Sequence, residues 1–379
     1  MHTGALPGRA ATFWSGVRLD VTEAQIIEKL LAFIAADDAT EATFDRLALD
    51  LFAYQFENNQ PYRRFATQRA KTIRTVRSWR DIPPVPINAF KDLTLSCRTP
   101  DETFRVFMTS GTTKGGLRGK SYHPTLAVYD ASMTTNFRRR FMPDRERIRM
   151  GILFPDERAM PNSSLAHYLA LAVQHFGTEG SHYLIGESGL DSERLLSELA
   201  RAENTGEPYA LLGASYSFVH LIDEMRRRGR TAALPDGSRI LDTGGFKGQS
   251  REIAADDFYD QLSSTFGVPR GRCINMYGMT ELSTQFYDGG NETCPSVKSG
   301  PHWIRSRAIN PLTGADVPRG TVGVLVHCDL AHFNVVSTIL TEDAGIEVEG
   351  GFLLLGRADG AEAKGCSMAV EEFLRAAQG

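Results

Sequence analysis

The stretch YALLGAS (209–215) begins the part of the chain that determines the fold class. It has the length and apolar content of a buried strand, and four other runs share this character: RMGILF (149–154), SHYLI (181–185), RILDTGG (239–245) and RCINMYG (272–278). Helical periodicity occupies the intervals 163–176, 191–203, 217–228 and 252–266. This alternation predicts an α/β fold with a mainly parallel sheet and helices on both faces.

The two ends of the chain have different patterns. Residues 22–35 predict an amphipathic helix that begins at a capping box of Thr22 and Gln25, and a second helix is expected near 44–56. The prolines of DIPPVP (81–86) mark a junction, and β-type runs return after residue 300. We therefore expect a helical N-terminal section (1–90), an α/β core (91–300), a β-rich subdomain (301–359) and a short C-terminal tail (360–379).

The composition excludes several classes of protein. Lys and Arg number 42 against 46 Asp and Glu, so the net charge of −4 gives no basic surface for nucleic acid. No apolar run approaches 18 residues, which argues against a membrane span, and the first twenty residues lack a signal-peptide pattern. The five cysteines are scattered without a Cys-x-x-Cys pair. This pattern argues against a disulfide scaffold or a cysteine-based zinc site and predicts a cytoplasmic protein.

The first candidate motif is FMTSGTTKGGLRGKS (107–121), which follows an apolar strand pattern. Its glycines and hydroxyl side chains are suited to binding phosphate. A flexible polar loop is the alternative interpretation of this motif taken alone. A Walker A loop is disfavoured, because Lys114 stands where that motif requires glycine.

The second motif is NMYGMTEL (275–282), at the end of a predicted strand. Tyr277 can stack on a base and Gly278 allows close backbone approach. Thr280 and Glu281 offer oxygen atoms to phosphate or Mg²⁺. The alternative is a helix start, where Thr280 and Glu281 would only complement the helix dipole.

The third motif combines TEDAG (341–345) with LLLGRAD (353–359). Asp343 is suited to accepting hydrogen bonds from two ribose hydroxyls, and Arg357 to donating to ribose or phosphate. An ordinary turn and strand with a surface Asp and Arg is the alternative.

The three motifs, in this order and spacing, resemble those of the adenylate-forming superfamily. The resemblance implies the large N-terminal domain of those enzymes, with layered sheets, and the use of ATP and Mg²⁺. It places Tyr277 and Gly278 at the adenine, Asp343 and Arg357 at the ribose, and Thr280 with the metal ligand Glu281 at the phosphates. The further ATP-binding residues that it implies are Thr109, Ser110, Gly111, Thr112 and Thr113 at the phosphates and Gly244 and Gly245 beside the adenine.

Further segments resemble the acyl-protein synthetase family, the LuxE-like proteins of bacterial bioluminescence operons. They are LFAYQFENNQPYRRF (51–65), SWRDIPPVPINAFK (78–91), TGGFKG (243–248) and KGCS (364–367). The resemblance covers about residues 45–370. It implies that a fatty acid is activated as acyl-AMP, captured by Cys366 and passed to an acyl-CoA-reductase-like partner.

The tail differs from the superfamily pattern. Those enzymes carry a mobile C-terminal domain after a hinge acid, which aligns with Asp359, and only twenty residues follow it here. The lysine of that domain has no counterpart by position, and Lys364 and Lys114 are candidates to replace it. We expect Gly365 and Ser367 to leave the thiol of Cys366 accessible, with a short helix over MAVEEFLRAA (368–377) just after it. The alternative for Cys366 is a buried packing residue, which is the role we assign to the other four cysteines.

Three functional hypotheses follow. The first is an acyl-protein synthetase that uses Cys366. The second is an adenylate-forming ligase that passes the acyl group of its carboxylic acid substrate to coenzyme A or a carrier-protein thiol. The third is a non-catalytic nucleotide- or acyl-binding subunit, against which the joint presence of Glu281, Asp343 and Arg357 argues. The residues do not identify the acid.

Overall fold

A computed structural model describes residues 22–110, 117–246 and 250–378 of the chain. The predicted phosphate-binding residues Gly111, Thr112 and Thr113, and Lys114, lie outside the described residues.

The helices of the described residues run in chain order as follows: α1 Glu23–Ala35, α2 Glu41–Asn58, α3 Gln60–Gln68, α4 Ala89–Asp92, α5 Ala127–Arg140, α6 Ser164–Phe176, α7 Ser192–Thr205, α8 Ser215–Arg227, α9 Ala255–Phe266 and α10 Gly360–Gln378.

The strands are β1 Val85–Pro86, β2 Arg105–Met108, β3 Lys120–His123, β4 Arg149–Leu153, β5 His182–Tyr183, β6 Ile185–Gly186, β7 Gly189–Leu190, β8 Tyr209–Ala214, β9 Arg239–Thr243, β10 Cys273–Tyr277, β11 Phe286–Tyr287, β12 Val297–Lys298, β13 Ile304–Ile309, β14 Val322–Asp329, β15 Thr338–Val348 and β16 Gly351–Arg357.

The five predicted apolar runs form the central sheet, whose order is β11-β10-β9-β8-β4-β5. Every pair from β5 to β10 is parallel and only β11 is antiparallel, so the predicted parallel sheet is confirmed. Ala210 and Leu212 pack against α5 and α6 on one face, whereas Tyr209 and Leu211 pack against α7, α8 and α9 on the other. This two-sided burial explains why the strands read as continuous apolar runs instead of alternating with polar residues.

A second sheet is built from the C-terminal strands in the order β12-β16-β15-β14-β13. Its neighbouring strands are antiparallel, and β1 adds to β15 as a parallel strand. The short hairpin β2-β3 stands apart from both sheets, and its two strands flank the Ser/Thr/Gly stretch in the sequence. None of the described helices is long and apolar enough to span a membrane.

The N-terminal helices share one hydrophobic core with the second sheet and α10. The capping box of Thr22 and Gln25 is present at the start of α1. The predicted second helix extends further than expected, because Asn59 ends α2 and caps α3 by accepting a hydrogen bond from the Tyr62 amide. The Asn59 side chain also donates to the Val335 carbonyl at 2.8 Å, so this part of the motif at 51–65 has a structural role.

The C-terminal tail differs from the prediction. A single helix, α10, begins at Gly360 and contains Cys366, so the expected short helix after the cysteine is wrong. The thiol is not accessible: Cys366 is 3% exposed and packs against Ile309, Val324, Val326 and Leu340. Gly365 does not expose the thiol but allows α10 to pack closely on Pro311, because a Cβ at position 365 would lie 2.8 Å from the Pro311 ring.

Phe373 is the main anchor of α10. It is fully buried, and its ring centroid lies 4.5 Å from that of Phe65 in α3. We expect Phe373→Ala to destabilise the docking of α10 by about 3–5 kcal/mol, since the side chain is lost from a packed core. Labelling of Cys366 by a thiol reagent, followed by peptide mass spectrometry, should then be at least about tenfold faster, because 1.4 kcal/mol is already a factor of ten.

Arg69→Ala is the matched control. It removes a partly exposed ion pair between Arg69 and Glu372 of α10, and such pairs contribute only about 0–1 kcal/mol. Equal labelling rates in Phe373→Ala and wild type would contradict this account of how α10 is held.

Candidate active site

Thr109 and Gly119 close the base of the hairpin β2-β3 on either side of the Ser/Thr/Gly stretch. The amide of Thr109 donates to the Gly119 carbonyl at 3.0 Å, and the Gly119 amide donates to Thr109 Oγ1 at 3.0 Å. Ser110, the next residue, is exposed. The base therefore fixes where the segment between Ser110 and Gly119 begins and ends.

Glu281 lies against this base. A Cβ on Gly119 would be 2.9 Å from Oε1 of Glu281 and 3.2 Å from Cγ2 of Thr109. Only glycine at position 119 permits this approach without displacing the carboxylate. The Glu281 side chain is 4% exposed. The structure thus brings together Thr109 and Glu281, two predicted site residues that are far apart in the sequence.

The loop that carries Glu281 is held by Asp329. No helix starts at Thr280, since residues 278–285 form a loop, so the helix-start alternative is wrong. The carboxylate of Asp329 accepts hydrogen bonds from the amides of Ser283 and Thr284, both at 2.8 Å, and from the Thr284 hydroxyl at 2.7 Å. Burial raises the pKa of Asp329 to about 6, although these hydrogen bonds oppose the shift.

A buried polar chain supports the same loop from the side of the hairpin. Nδ1 of His332 is 2.9 Å from the Ser283 hydroxyl and its Nε2 is 3.3 Å from the Ser121 hydroxyl, which in turn is 3.2 Å from Nε2 of His123. Burial lowers the pKa of His123 to about 3 and that of His332 well below its usual value. Both imidazoles are therefore neutral at pH 7 and link the hairpin to the Glu281 loop.

Tyr277 joins the end of β10 to the second sheet. Its hydroxyl donates to Asp343 Oδ2 at 2.8 Å and lies 3.4 Å from Nε2 of His327. The ring packs among Phe286, His327 and Phe352. Burial and the charge of Asp343 raise the pKa of Tyr277 well above its usual value. The residues predicted at the adenine and at the ribose are thus direct neighbours.

Arg357 faces Asp343 across neighbouring strands. The two residues are paired in the register of β15 and β16. Nε of Arg357 is 3.5 Å from Oδ1 of Asp343, and its Nη1 is 3.1 Å from Oε2 of Glu342. The Arg357 side chain is 68% exposed, so its guanidinium is open to an incoming ligand.

Gly244 and Gly245 follow β9 beside the end of β10. Thr243 pairs with Met276 in the parallel register, and its hydroxyl donates to the Met276 carbonyl at 2.8 Å. Gly244 has φ +78°, a conformation that favours glycine, and accepts a hydrogen bond from the Ser215 hydroxyl at 3.2 Å. Gly244 therefore lies near Tyr277, the residue predicted at the adenine.

The predicted residues form two groups that are joined by five consecutive residues. Tyr277, Asp343 and Arg357 are at one end, and Thr109 and Glu281 are at the other. Gly278 is exposed and Thr280 is half-buried in the connecting segment. Four residue steps span at most about 14 Å, so both groups can contact one nucleotide.

A divalent cation would fit only together with its substrate. No cluster of three or more His, Cys, Asp or Glu side chains suited to a metal occurs among the described residues. Glu281 offers carboxylate oxygens near the hairpin base, and Mg²⁺ is commonly held by one or two carboxylates plus substrate phosphates. The residues present therefore fit a metal that arrives with a nucleotide.

Cys366 lies on the other face of the second sheet. Its Sγ is 3.7 Å from the carbonyl oxygen of Thr341, two residues before Asp343 in β15. The thiol packs beside Val326 and Leu340, whereas His327, the next residue after Val326, faces Tyr277. Neighbouring residues of a strand point to opposite faces, so β14 and β15 separate the thiol from Tyr277.

Sequence reasoning missed the supporting residues His332, Ser121, Asp329 and Asn88. The amide of Asn88 donates to Glu342, and Asn88 accepts from the ammonium of Lys91 at 2.8 Å. Asn88 and Lys91 lie within the motif SWRDIPPVPINAFK, which was the available signal for them. No pattern in the sequence singles out His332.

The loop attachment at Asp329 gives a prediction. Asp329→Asn keeps the shape but offers one acceptor oxygen instead of two, so buried donors of Ser283, Thr284 or Ala331 lose their partner. We expect a loss of about 1–3 kcal/mol in the free energy of unfolding, measured by urea denaturation. An unchanged free energy of unfolding would contradict the role given to Asp329.

Comparisons with known proteins identify the family of this chain. The family model described as acyl-protein synthetase, LuxE, matches residues 23–375. The long-chain-fatty-acid–luciferin-component ligase of Vibrio harveyi is 26% identical over 343 aligned residues, and the match covers 87% of this chain and 88% of that protein. The ligase of the same name from Aliivibrio fischeri is 24% identical over 311 residues, covering 80% and 79% of the two chains.

Solved structures share the fold. A 2-hydroxyisobutyryl-CoA ligase in complex with 2-HIB-AMP has a TM-score of 0.60 and 15% identity, covering 83% of this chain and 68% of that one. ATP-bound MatB from Rhodopseudomonas palustris has a TM-score of 0.50 and 18% identity over 69% of this chain. The chain covers about half of MatB, 49% of its length.

Proposed function

This chain belongs to the LuxE family of acyl-protein synthetases and is a ligase, and we propose that it activates a long-chain fatty acid with MgATP and captures the acyl group as a thioester on Cys366. The acyl group then passes to a partner protein. Both relatives are named as ligases of a long-chain fatty acid and a luciferin component. These names support the choice of acid and of a protein acceptor.

The observation that carries the proposal is the arrangement of the two residue groups around residues 277–281. Tyr277 and Asp343 lie within hydrogen-bond distance at one end, and Thr109 and Glu281 meet across Gly119 at the other. Adenine and ribose bind at the first group and phosphates at the second. Ser110, Gly111, Thr112 and Thr113 complete the phosphate site in this proposal.

In the first step, an oxygen of the fatty-acid carboxylate attacks the α-phosphorus of ATP. The bond from that phosphorus to the oxygen bridging to the β-phosphate breaks, and pyrophosphate leaves. Asp343 accepts hydrogen bonds from the ribose hydroxyls and so fixes the nucleotide, while Arg357 donates to the ribose or phosphate. Glu281 holds Mg²⁺, which supplies positive charge to the phosphates when bound.

In the second step, the Cys366 thiolate attacks the acyl carbon, and AMP leaves with the electrons of the bond that breaks. The proton of the thiol goes to solvent. Because β14 and β15 separate Cys366 from Tyr277, this step requires α10 to leave its place on the sheet. We place the pivot at Asp359 and Gly360, which connect β16 to α10, because glycine permits a wide range of backbone angles.

The burial of Cys366 favours a second candidate function. In this alternative the acyl-AMP reacts with the thiol of coenzyme A or of a carrier protein, and α10 stays docked. Adenylation is common to both candidates, so both use the same nucleotide site.

ATP–pyrophosphate exchange with a panel of carboxylic acids tests the activation step. We expect exchange with long-chain fatty acids, and Glu281→Gln should lower it by about 10²–10³, the range for removing one preorganised electrostatic contact. Glu349→Gln, in the exposed turn between β15 and β16, is the matched control with the same loss of charge. Absence of exchange with any acid would leave a binding protein as the better account.

Asp343 is tested by its effect on ATP. Asp343→Asn should raise the KM for ATP by about tenfold or more, because a hydrogen bond to a charged group contributes about 1.5–3 kcal/mol. Tyr277→Phe removes only the hydroxyl that donates to Asp343 and should have a smaller effect. If the two variants raise the KM equally, Asp343 acts by holding Tyr277 and the proposed ribose contact is wrong.

A further inference from the structure

The segment from Ile87 to Asp92 runs past both groups of the site. We call Tyr277, Asp343 and Arg357 the ribose group, and Thr109 and Glu281 the phosphate group. The amide of Ile87 donates to the Leu340 carbonyl at 2.9 Å and continues the pairing of β1 with β15. Asn88 therefore lies beside Glu342, to which its amide donates. Phe90 is buried on the opposite side, where a Cβ on Gly119 would lie 3.5 Å from its own Cβ. One short stretch thus contacts Glu342, which pairs with Arg357, and lies beside Gly119 at the base of the hairpin.

Lys91 is the cation of this segment. Its ammonium donates to Oδ1 of Asn88 at 2.8 Å, and Asn88 and Lys91 lie three residues apart on one face of the turn. The same amide donates to Glu342, which pairs with Arg357. The ammonium of Lys91 is therefore placed by a chain of hydrogen bonds that ends at the exposed guanidinium of the ribose group.

The partner of Lys91 distinguishes it from Lys29, Lys71 and Lys298. Lys29, Lys71 and Lys298 are in ion pairs with Asp50, Asp81 and Asp288. The hydrogen bond of Lys91 goes instead to a neutral amide, which orients the ammonium without neutralising its charge. Such an arrangement suits a cation that meets an anionic ligand.

The proposed adenylation requires a cation of this kind. A carboxylate must approach the α-phosphorus of a polyanion, and negative charge builds up on the phosphoryl oxygens as the new bond forms. A fixed ammonium between the two anions reduces their repulsion and stabilises the transition state. It keeps its proton throughout, since the step transfers no proton and only the bond to pyrophosphate breaks.

We propose that Lys91 contacts the fatty-acid carboxylate and the α-phosphate during adenylation, and this inference rests on the proposed function. Lys364, a candidate from the sequence, is exposed on α10 next to Gly365, which packs on Pro311. That position belongs to the face that holds Cys366. Lys91 instead donates to Asn88, whose amide contacts Glu342 beside Arg357, and it directly follows Phe90, which lies beside Gly119.

The test compares Lys91→Met, Lys91→Arg, Lys364→Met and the control Lys29→Met. The assay is ATP–pyrophosphate exchange with tetradecanoate. We expect Lys91→Met to lower the kcat of exchange by about 10² while the KM for ATP changes little, since the contact forms mainly in the transition state. Lys91→Arg should recover part of the rate, because it restores the charge. Lys364→Met and Lys29→Met should behave like wild type.

A second readout excludes a merely structural role. Consumption of synthetic tetradecanoyl-AMP by the protein bypasses adenylation and should be the same in Lys91→Met and wild type. The melting temperature should change by no more than about 4 °C, the shift that 1 kcal/mol can cause.

Three results would overturn the inference. The first is exchange by Lys91→Met at the wild-type rate. The second is an equal loss of exchange in Lys91→Met and Lys91→Arg, together with slower consumption of the acyl-AMP. The third is a loss of exchange in Lys364→Met alone. Failure of the wild type to exchange with any acid overturns the proposed function as well, and it is recognised because the unmutated control itself is inactive.

Discussion

The hydrogen bond from Tyr277 to Asp343 joins the end of the central parallel sheet to the second, antiparallel sheet. Each side chain is placed by its own sheet: Tyr277 is the last residue of β10, and Asp343 lies in β15. The candidate site exists because these two elements meet. The buried carboxylate of Asp329 makes a second connection, from β14 to the loop that follows Tyr277, and so sets the position of Glu281 relative to Tyr277. The proposed adenylation requires nucleotide and phosphate contacts at a fixed separation, and these two attachments fix the separation of Tyr277 and Glu281.

The central sheet could be predicted from the sequence because its strands are buried on both faces, which leaves apolar runs such as YALLGAS that are easy to recognise. The positions of Tyr277 and Asp343 followed from motifs that resemble a known superfamily. The state of Cys366 could not be predicted, because the pattern KGCS suggests exposure, and its burial depends on Pro311 and on strands distant in the sequence. The chain from Ser283 to His123 was also hidden, since it joins residues from three segments that are distant in the sequence. The roles of the individual site residues stay predictions.

The burial of Cys366 has a consequence for the order of events. With α10 docked, the thiol is shielded from solvent and from Tyr277. In the proposed mechanism, adenylation therefore proceeds without movement of α10, and capture of the acyl group follows only when α10 undocks. Such an order protects the thiol until an activated acyl group is present. It also makes the packing of Phe373 against Phe65 part of the energetics of acyl capture, because that contact holds α10 in place.

The central claim is that the acyl group is transferred to Cys366 of this chain. The most direct measurement is intact-protein mass spectrometry after incubation with MgATP and fatty acids, with Cys366→Ser beside the wild type. The account predicts a mass increase of one acyl group in the wild type and none in the variant, while both form acyl-AMP. Formation of acyl-AMP in solution with no adduct on the wild type would contradict the claim and identify a ligase that uses an external thiol.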